Sequence, residues 1–330
     1  MEIKKSVSIV IPNYNGKHLL KEYLPFTLDA IKSTGTVYEI IVVDDRSTDG
    51  SAEFLRSEYP EVLLIINPEN KGFSYTCNRG IEVSQYELIL LLNSDVKLSR
   101  NYFDDQWKYF MRWDTFGVMG RITDMGSDKI QDAARVPKFK GLKLKTDYFY
   151  YTNNRSNRLY TLYLSGANAL ISAEKLKMLG GFNELFSPFY CEDMDLSLRA
   201  WQLNWNCYYE HNSVCQHRAS ATTKKYAAAK RIKSVHFRNR FYVHAIHLKG
   251  TALLAWYVQI TLFDLLPRLL IGQLWIWKSY ISLFINRKEI RESKKQVKSL
   301  NDGQVEVSIF MVVDKIRSSV KNKKAVRFKP

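Results

Sequence analysis

Four carboxylates and one imidazole lie in segments that are otherwise apolar or aromatic. Glu192, Asp193 and Asp195 follow an aromatic pair, His217 lies farther along the chain, and Asp95 closes an earlier apolar run. Ionisable side chains in such surroundings are costly unless they have a partner or a chemical task. Taken singly, His217 is typical of an ordinary satisfied histidine and Asp95 of a turn residue. Together, one Asp acting as a base, with a second Asp and a His holding a metal, suits the transfer of a group from a diphosphate.

The elements that must position these residues follow from an alternation of strands and helices. Short β-branched or leucine-rich runs predict strands, and leucines at helical spacing predict helices. The predicted strands are residues 7–11, 39–43, 62–66 and 88–92, and the predicted helices are residues 17–33, 51–59 and 78–84. This order predicts an α/β fold with a doubly wound, mostly parallel sheet. Ligands of such sheets bind beyond the carboxyl ends of the strands, where Asn13, Asp44, Asp45 and Asp95 lie.

Beyond residue 103 the alternation weakens. The pattern predicts strands at residues 117–123 and 163–171, helices at 173–179 and 193–203, and an irregular, tyrosine-rich excursion at 124–160. Asp193 is therefore expected at a helix N-terminus, where the helix dipole favours a carboxylate.

Two loops carry polar residues that have both a structural and a functional interpretation. Asp44 and Asp45 could belong to a capped strand-to-helix turn, or one of them could accept from a base N–H or ribose hydroxyls. In residues 70–80, Gly72 would allow the backbone to approach a ligand closely, and Arg79 could face a base or a phosphate. A plain helix start would explain the same two residues.

The composition indicates a cytoplasmic protein with an anionic partner. The 330 residues are 46% hydrophobic, enough for a full core and perhaps one small extra unit, and the formal net charge is +16. Lys and Arg crowd residues 218–240 and 287–329, and no nucleic-acid motif accompanies them, so acidic phospholipid is favoured over nucleic acid. The four cysteines show no CxxC pairing and are expected to be reduced, and the first apolar run is too short for a signal peptide.

Residues 251–285 are apolar and rich in tryptophan, but charged residues and Pro267 interrupt them. A spanning helix needs about 20 apolar residues. Three arrangements stay open: interfacial helices, a true membrane span, and a helical appendage packed on the core. In the interfacial arrangement Trp256, Trp275, Trp277 and Tyr280 would lie at the level of the lipid headgroups.

The order of the motifs resembles a known family. The motifs are Val7–Gly16, Val42–Gly50, Asn70–Gly80, Leu92–Val96, Ser165–Asn168, Leu179–Phe182, Glu192–Leu196 and His217. This series is similar to that of family 2 glycosyltransferases, which have the GT-A fold. Within the family it is most similar to the branch of rhamnosyltransferase-like and galactofuranosyltransferase-like enzymes. The resemblance covers residues 5–245, so it implies a catalytic domain at 1–245 and an apolar, basic helical segment at 246–330 that associates with the membrane.

The resemblance also implies roles for individual residues. Pro12, Tyr14, Asp44, Asp45 and Arg79 match positions that line the nucleotide base and ribose, and Gly166 and Ala167 match a segment beside the donor sugar. Asp95 matches the last residue of the metal-binding DXD-type motif, His217 the histidine that completes the site, and Asp193 the catalytic base. Asn93 departs from the family pattern, because many relatives carry the first Asp of that motif there. Glu192 and Asp195 are expected to orient the acceptor or to hold the helix start.

The function that these roles imply is an inverting sugar transfer that depends on Mn²⁺ or Mg²⁺. The donor would be a UDP- or dTDP-sugar, and the acceptor a glycan or a polyprenyl-diphosphate-linked sugar at the inner face of the plasma membrane. The Gln-x-x-Arg-Trp motif of processive synthases is missing, which favours single additions. Two alternatives remain: a catalytically silent subunit of the same fold, which would normally lose Asp193 or His217, and a basic protein that binds nucleic acid or membranes.

Overall fold

The fold is built around one mixed sheet. The computed structural model describes residues 4–146, 148–218, 229–301, 307–321 and 323–329. Its strands are β1 (Val7–Asn13), β2 (Tyr38–Asp44), β3 (Leu63–Ile66), β4 (Leu88–Leu92), β5 (Val96–Leu98), β6 (Thr115–Asp124), β7 (Ile130–Asp132), β8 (Ala134–Arg135), β9 (Lys138–Lys140), β10 (Lys143–Lys145), β11 (Phe149–Tyr151), β12 (Leu159–Tyr160), β13 (Asn168–Ser172), β14 (Asn206–His217) and β15 (Val326–Phe328).

The central sheet has ten strands, eight of them in the order β12-β14-β6-β13-β4-β1-β2-β3. Strands β4, β1, β2 and β3 are mutually parallel, as the alternating sequence pattern predicts. β13 is antiparallel to both of its neighbours, β4 and β6, and β14 runs parallel to β6. The sheet is therefore mostly parallel, and the carboxyl ends of β1, β2 and β4 meet at one edge.

The helices cover both faces of this sheet. They are α1 (Lys17–Thr34), α2 (Ser51–Glu58), α3 (Phe73–Val83), α4 (Ala173–Met178), α5 (Glu192–Gln202), α6 (Ala229–His247), α7 (Gly250–Leu270), α8 (Trp275–Ile285), α9 (Arg287–Leu300) and α10 (Ile309–Lys321). Leu20 of α1 and Leu55 of α2 pack on one face of the sheet, and Ile81 of α3 and Leu196 of α5 pack on the other. Strand residues alternate between these two cores, as Ile9 and Val10 do.

The C-terminal segment packs into the same core as α5, the helix that carries Asp193. Ile309, Val312 and Ile316 of α10 belong to the cluster that contains Trp201 of α5, and β15 pairs with β11. The expected division between residues 1–245 and 246–330 is therefore not a break in packing. The α7 helix contains a π-helical turn, Thr261–Leu265, just before Pro267, whose missing N–H interrupts the regular hydrogen-bond pattern.

The structure differs from the sequence-based expectations mainly after residue 103. The excursion at 124–160 contains six short strands, and the predicted strand at 163–171 is reduced to β13. Residues 163–167 instead form a bend around Gly166, whose missing Cβ leaves room for the ring of Phe73. Helix α3 begins at Phe73 rather than Asn78, because Gly72 with φ 85° supplies the turn into the helix.

Candidate active site

One side of the candidate site lies at the carboxyl ends of β1 and β2. The side-chain amide of Asn13 donates to Oδ2 of Asp44 at 2.9 Å, and the backbone N–H of Ser47 donates to Oδ1 at 2.8 Å. Pro12 pairs in register with Val43 of β2. These contacts fix the turn after β2 against the end of β1, beside the predicted nucleotide residue Tyr14.

Asp45 ties this edge to the start of α3. Its Oδ1 accepts from Asn67 Nδ2 at 2.8 Å and from the backbone N–H of Lys71 at 3.0 Å, and its Oδ2 accepts from the N–H of Gly72 at 2.8 Å. The Asp45 carboxylate thus holds the loop that precedes α3. Gly72 approaches protein backbone, because a Cβ there would lie 3.5 Å from the Cα of Pro188. Arg79 lies exposed one turn into α3.

Asp95 and His217 come together because β5 pairs with the end of β14, with Val96 opposite His217. His217 Nε2 lies 3.3 Å from Asp95 Oδ1. On the other side of the ring, Nδ1 lies 3.2 Å from Gln131 Oε1, and Gln131 Nε2 donates to the His217 carbonyl at 3.0 Å and to Asp124. Because the Gln131 amide donates through its nitrogen, its oxygen must accept the Nδ1 proton. In the neutral ring the lone pair of Nε2 then faces the Asp95 carboxylate.

This pair has the donors of a divalent cation site. Imidazole nitrogen suits transition metals, and carboxylate oxygen suits Mn²⁺ and Mg²⁺. A metal-binding histidine usually has a hydrogen-bond partner on its other ring nitrogen, as Gln131 is here. No third His, Cys, Asp or Glu joins them within the described parts of the chain. A metal here would therefore need oxygens from a bound diphosphate or from water to complete its coordination.

The segment predicted to lie beside the donor sugar is close to this pair. The backbone N–H of Asn93 donates to the carbonyl of Ala167 at 3.2 Å, so the loop that carries Asp95 lies against residues 166–167. The N–H of Gly166 in turn bonds the carboxylate of Asp193. Gly166 and Ala167 therefore connect the candidate metal ligands with the candidate base.

Asp193 lies in the first turn of α5, as predicted. Its Oδ1 accepts from the N–H of Met194 at 2.8 Å. Burial raises the pKa of Asp193, while the guanidinium of Arg135 and the hydrogen bonds from Met194 and Gly166 oppose that rise. The carboxylate is thus stabilised by one cation and by backbone N–H groups at a helix N-terminus.

Glu192 beside it also has a raised pKa. Its side chain is buried, its Oε2 has no hydrogen-bond partner among the described residues, and burial together with the charge of Asp193 raises its pKa to about 8. At neutral pH Glu192 is therefore mostly protonated. Adjacent buried carboxyls with raised pKa values are typical of functional sites.

Arg135 was missed by the sequence analysis. It contacts Asp132, and its guanidinium lies 4.1 Å from the ring centre of Tyr163. Burial raises the pKa of Asp132 to about 6 despite that contact. The available signal was the Asp132-x-x-Arg135 spacing, but it lies in the segment that was interpreted as irregular.

Asp195 does not face the site. It is fully buried, with Oδ2 accepting from Arg199 Nε at 2.8 Å and Oδ1 lying 3.0 Å from His247 Nε2. Although burial alone would raise its pKa, Arg199 and His247 hold the pKa of Asp195 below its usual value. The expectation that Asp195 orients an acceptor is thus corrected, because its carboxylate instead fastens α5 to α6.

A second contact from α6 supports the loop before Asp193. The side-chain amide of Asn239 donates to the carbonyls of Phe186, Phe189 and Tyr190 at 2.6, 2.9 and 2.8 Å. Tyr190 and Cys191 both adopt left-handed backbone angles, with φ of 76° and 72°. Such angles are unfavourable for residues other than glycine, so the loop needs external support. We call Asn239 with these three carbonyls the carbonyl bracket.

Comparison with known proteins agrees with this arrangement. A profile described as "Glycosyl transferase family 2" matches residues 8–180, more than half of the chain. The chain belongs to glycosyltransferase family 2. Membership makes it a glycosyltransferase, as the motif order suggested, although the branch within the family is not identified by this match.

The curated relatives match only part of the chain. An undecaprenyl-phosphate 4-deoxy-4-formamido-L-arabinose transferase of Edwardsiella ictaluri is 37% identical over 95 residues, which is 28% of this chain and 29% of the relative. A protein of the same name from Pseudomonas paraeruginosa is also 37% identical over 95 residues, 28% of each chain. This chain therefore matches less than a third of the length of these relatives.

Solved structures show that the fold is GT-A. The mannosyltransferase PcManGT of Pyrobaculum calidifontis, in complex with GDP-Man and Mn²⁺, has a TM-score of 0.53 and 15% identity, covering 92% of this chain and 89% of that one. S. aureus TarS 1–349 has a TM-score of 0.54 and 16% identity, covering 91% and 92%. GalNAc-T7 with UDP, GalNAc and Mn²⁺ has a TM-score of 0.57 and 14% identity, covering 74% and 48%.

Proposed function

We propose that this glycosyltransferase is an inverting, metal-dependent enzyme that transfers a sugar from a nucleotide diphosphate to a hydroxyl of a lipid-linked or glycan acceptor. The observation that carries the proposal is the placement of three parts along one edge of the sheet: the Asp95–His217 pair, the Gly166–Ala167 segment, and the Asp193 carboxylate bonded to Gly166. Leaving group, sugar and base would follow one another in that order.

The nucleotide would lie along the carboxyl ends of β1 and β2. Pro12, Tyr14, Asp44, Asp45 and Arg79 are the proposed contacts for the base and ribose. Gly72, packed against Pro188, would supply the turn that starts α3 beside the nucleotide. A UDP- or dTDP-sugar is the proposed donor.

Separate residues would bind the metal and accept the proton. Asp95 and His217 would hold Mn²⁺ or Mg²⁺, which when bound supplies positive charge against the departing diphosphate. Asp193 accepts the proton of the acceptor hydroxyl as its oxygen attacks the anomeric carbon. The hydroxyl becomes acidic as the new bond forms, so a carboxylate suffices as the base. A single displacement with one base inverts the anomeric centre.

The acceptor would be presented at the cytoplasmic side of the membrane. Two curated relatives are named for undecaprenyl-phosphate, which favours a polyprenyl-linked acceptor for this chain as well. The +16 charge fits an anionic membrane surface rather than a nucleic acid, given that no nucleic-acid motif is present.

The test is a screen of nucleotide-sugars for diphosphate release with polyprenyl-linked acceptors, with and without EDTA. We expect activity that EDTA abolishes and Mn²⁺ or Mg²⁺ restores. Asp193→Asn should lower kcat at least about a hundredfold while the donor still binds, because only the base is lost. Donor binding is measured by calorimetry. Wild-type turnover in this variant, or full activity in EDTA, would contradict the assignment.

A further inference from the structure

Exposed apolar side chains are concentrated in one part of the surface. Of the 22 large hydrophobic residues that are exposed among the described residues, eleven lie between residues 254 and 285. Six of them are on α7: Leu254, Val258, Leu262, Phe263, Leu266 and Leu270. Five of these six recur every fourth residue, so they form a stripe along one face of the helix. We call these six residues the apolar ridge.

The opposite face of α7 packs on the protein. Trp256, Ile260 and Leu265 are buried in the core, and the Trp256 ring stacks on His244 with centroids 5.5 Å apart. Trp256 is therefore not one of the headgroup-level tryptophans expected from the sequence, whereas Trp277 is 49% exposed. The ridge is a single exposed face on a helix that is otherwise held in place.

By length alone α7 could also cross a bilayer. It is the one helix within the described ranges that is long and apolar enough, with 21 residues. At a rise of about 1.5 Å per residue it would extend about 30 Å, the thickness of a hydrocarbon core. Length therefore does not decide between a helix that spans and one that lies on the surface.

A contact at the middle of α7 decides between them. Gln259, the tenth of the 21 residues, accepts from the backbone N–H of Leu142 at 2.7 Å and donates to the carbonyl of Lys140 at 3.1 Å. Leu142 and Lys140 belong to the β9–β10 hairpin, which carries lysines at 138, 140, 143 and 145. If α7 crossed a membrane, this hairpin would be carried to the centre of the bilayer.

Charges at that depth are strongly unfavourable, and strands there leave backbone groups without partners. A second polar contact lies five residues farther along: Asp264 pairs with Lys143 and, at 3.0 Å, with Arg268. A helix lying in the plane of the interface keeps both contacts on the protein side. The ridge can then enter the lipid while the hairpin stays in water.

The charge of the surrounding segment specifies the kind of membrane. Residues 249–300 contain nine Lys or Arg against three Asp or Glu. Lys278, which follows the exposed Trp277, is itself exposed, as are Arg287 and Lys288 beyond the end of α8. Each cation near an anionic leaflet contributes about 1 kcal/mol of binding free energy. A protein partner with an apolar groove would not require this excess of positive charge.

We infer that α7 lies flat on an anionic membrane surface, with the apolar ridge inserted into the interface and the lysine hairpin on the water side. The inference deepens the proposed function, because it specifies how an enzyme for lipid-linked acceptors would meet its substrate. The hairpin begins three residues after Arg135, whose charge acts on the candidate base Asp193, so the membrane-bound helix lies close in the chain to the surroundings of that residue.

Insertion depth gives the direct test. Single cysteines at 254, 263 and 270 of the full chain are labelled with an environment-sensitive fluorophore, and the four native thiols are buried. Quenching by lipids brominated at two depths is measured on vesicles of phosphatidylcholine with about 30% phosphatidylglycerol, whose anionic surface attracts basic segments. We expect one shallow depth at all three sites. A label at 263 near the middle of the bilayer, with shallower labels at 254 and 270, would show a span and overturn the inference.

Variants test whether the ridge itself is responsible. Phe263→Ser with Leu270→Ser should lower the partition coefficient on anionic vesicles at least about tenfold, since two apolar side chains leave the lipid. The matched control is Trp113→Ser, which removes an equally exposed apolar side chain elsewhere. Equal loss in both, or wild-type protein that ignores anionic vesicles and dimerises instead, would overturn the inference. Donor hydrolysis in detergent is measured in parallel, because it reports on the proposed function independently of membrane binding.

Discussion

At the scale of single residues, the contact between His217 Nε2 and Asp95 Oδ1 is the most informative. Two electron-rich atoms 3.3 Å apart repel unless a cation or a proton lies between them. Gln131 fixes the imidazole so that Nε2 points at Asp95. Gln131→Ala should therefore weaken Mn²⁺ binding about 10- to 100-fold in the presence of UDP, measured by electron paramagnetic resonance. Gln216→Ala, next to His217 on β14, is the control, and unchanged affinity in Gln131→Ala would make the contact structural only.

Glu192 gives a prediction about pH. Its folded-state pKa of about 8 lies above the ordinary value of 4.5, so the native state retains a proton that the unfolded chain releases. This contribution is complete at low pH and is lost as the pH rises from about 4.5 towards 8. Glu192→Gln mimics the protonated form. The difference in thermal unfolding temperature between this variant and the wild type should therefore increase steadily, in favour of the variant, over that range. Exposed Glu174→Gln should show no such trend, and parallel curves for both variants would refute the shifted pKa.

At the scale of elements, α6 supports the loop that precedes Asp193 of α5. Asn239→Ala removes the amide of the carbonyl bracket and leaves three carbonyls without that donor. We expect kcat to fall up to about a hundredfold, because small displacements of a base have effects of that size, while the KM for the donor stays nearly constant. Lys233→Ala on the exposed face of α6 is the control. A change in donor KM alone would place the effect at the nucleotide site instead.

The regular strands and helices could be predicted from the sequence, whereas the short, irregular elements could not. The strands β1 to β4 were predicted because buried parallel strands leave apolar runs between helical patterns, and Asp44 and Asp95 were placed correctly with them. Arg135 and Gln131 were not found, because they lie on strands of two or three residues, which are too short to show a periodic pattern, and the partner of Gln131, His217, is 86 residues away in the sequence. Asp195 was misjudged because the first turn of α5 presents successive carboxylates to different sides, and only packing shows which side is buried.

At the scale of the whole molecule, the C-terminal segment contributes to the stability of the catalytic core. Ile316 of α10 is fully buried, whereas Arg317 beside it is exposed. Ile316→Ala should lower the free energy of unfolding by about 2–5 kcal/mol, and Arg317→Ala should change it by less than about 0.5 kcal/mol. Urea denaturation measures both values. Equal, small effects would show that α10 does not contribute to the stability of the core.

The pairing of β11 with β15 has a consequence for the order in which the chain folds. Phe149 pairs with Phe328, so this small sheet closes only when segments far apart in sequence meet. Contacts between distant segments form late, because the loop between them must first be closed. Strands β1 to β4, in contrast, pair over much shorter separations. The sheet that carries Arg135 should therefore be among the last parts to acquire protected amides during refolding. The ends of β1 and β2, where the nucleotide is proposed to bind, would then form before the surroundings of Asp193.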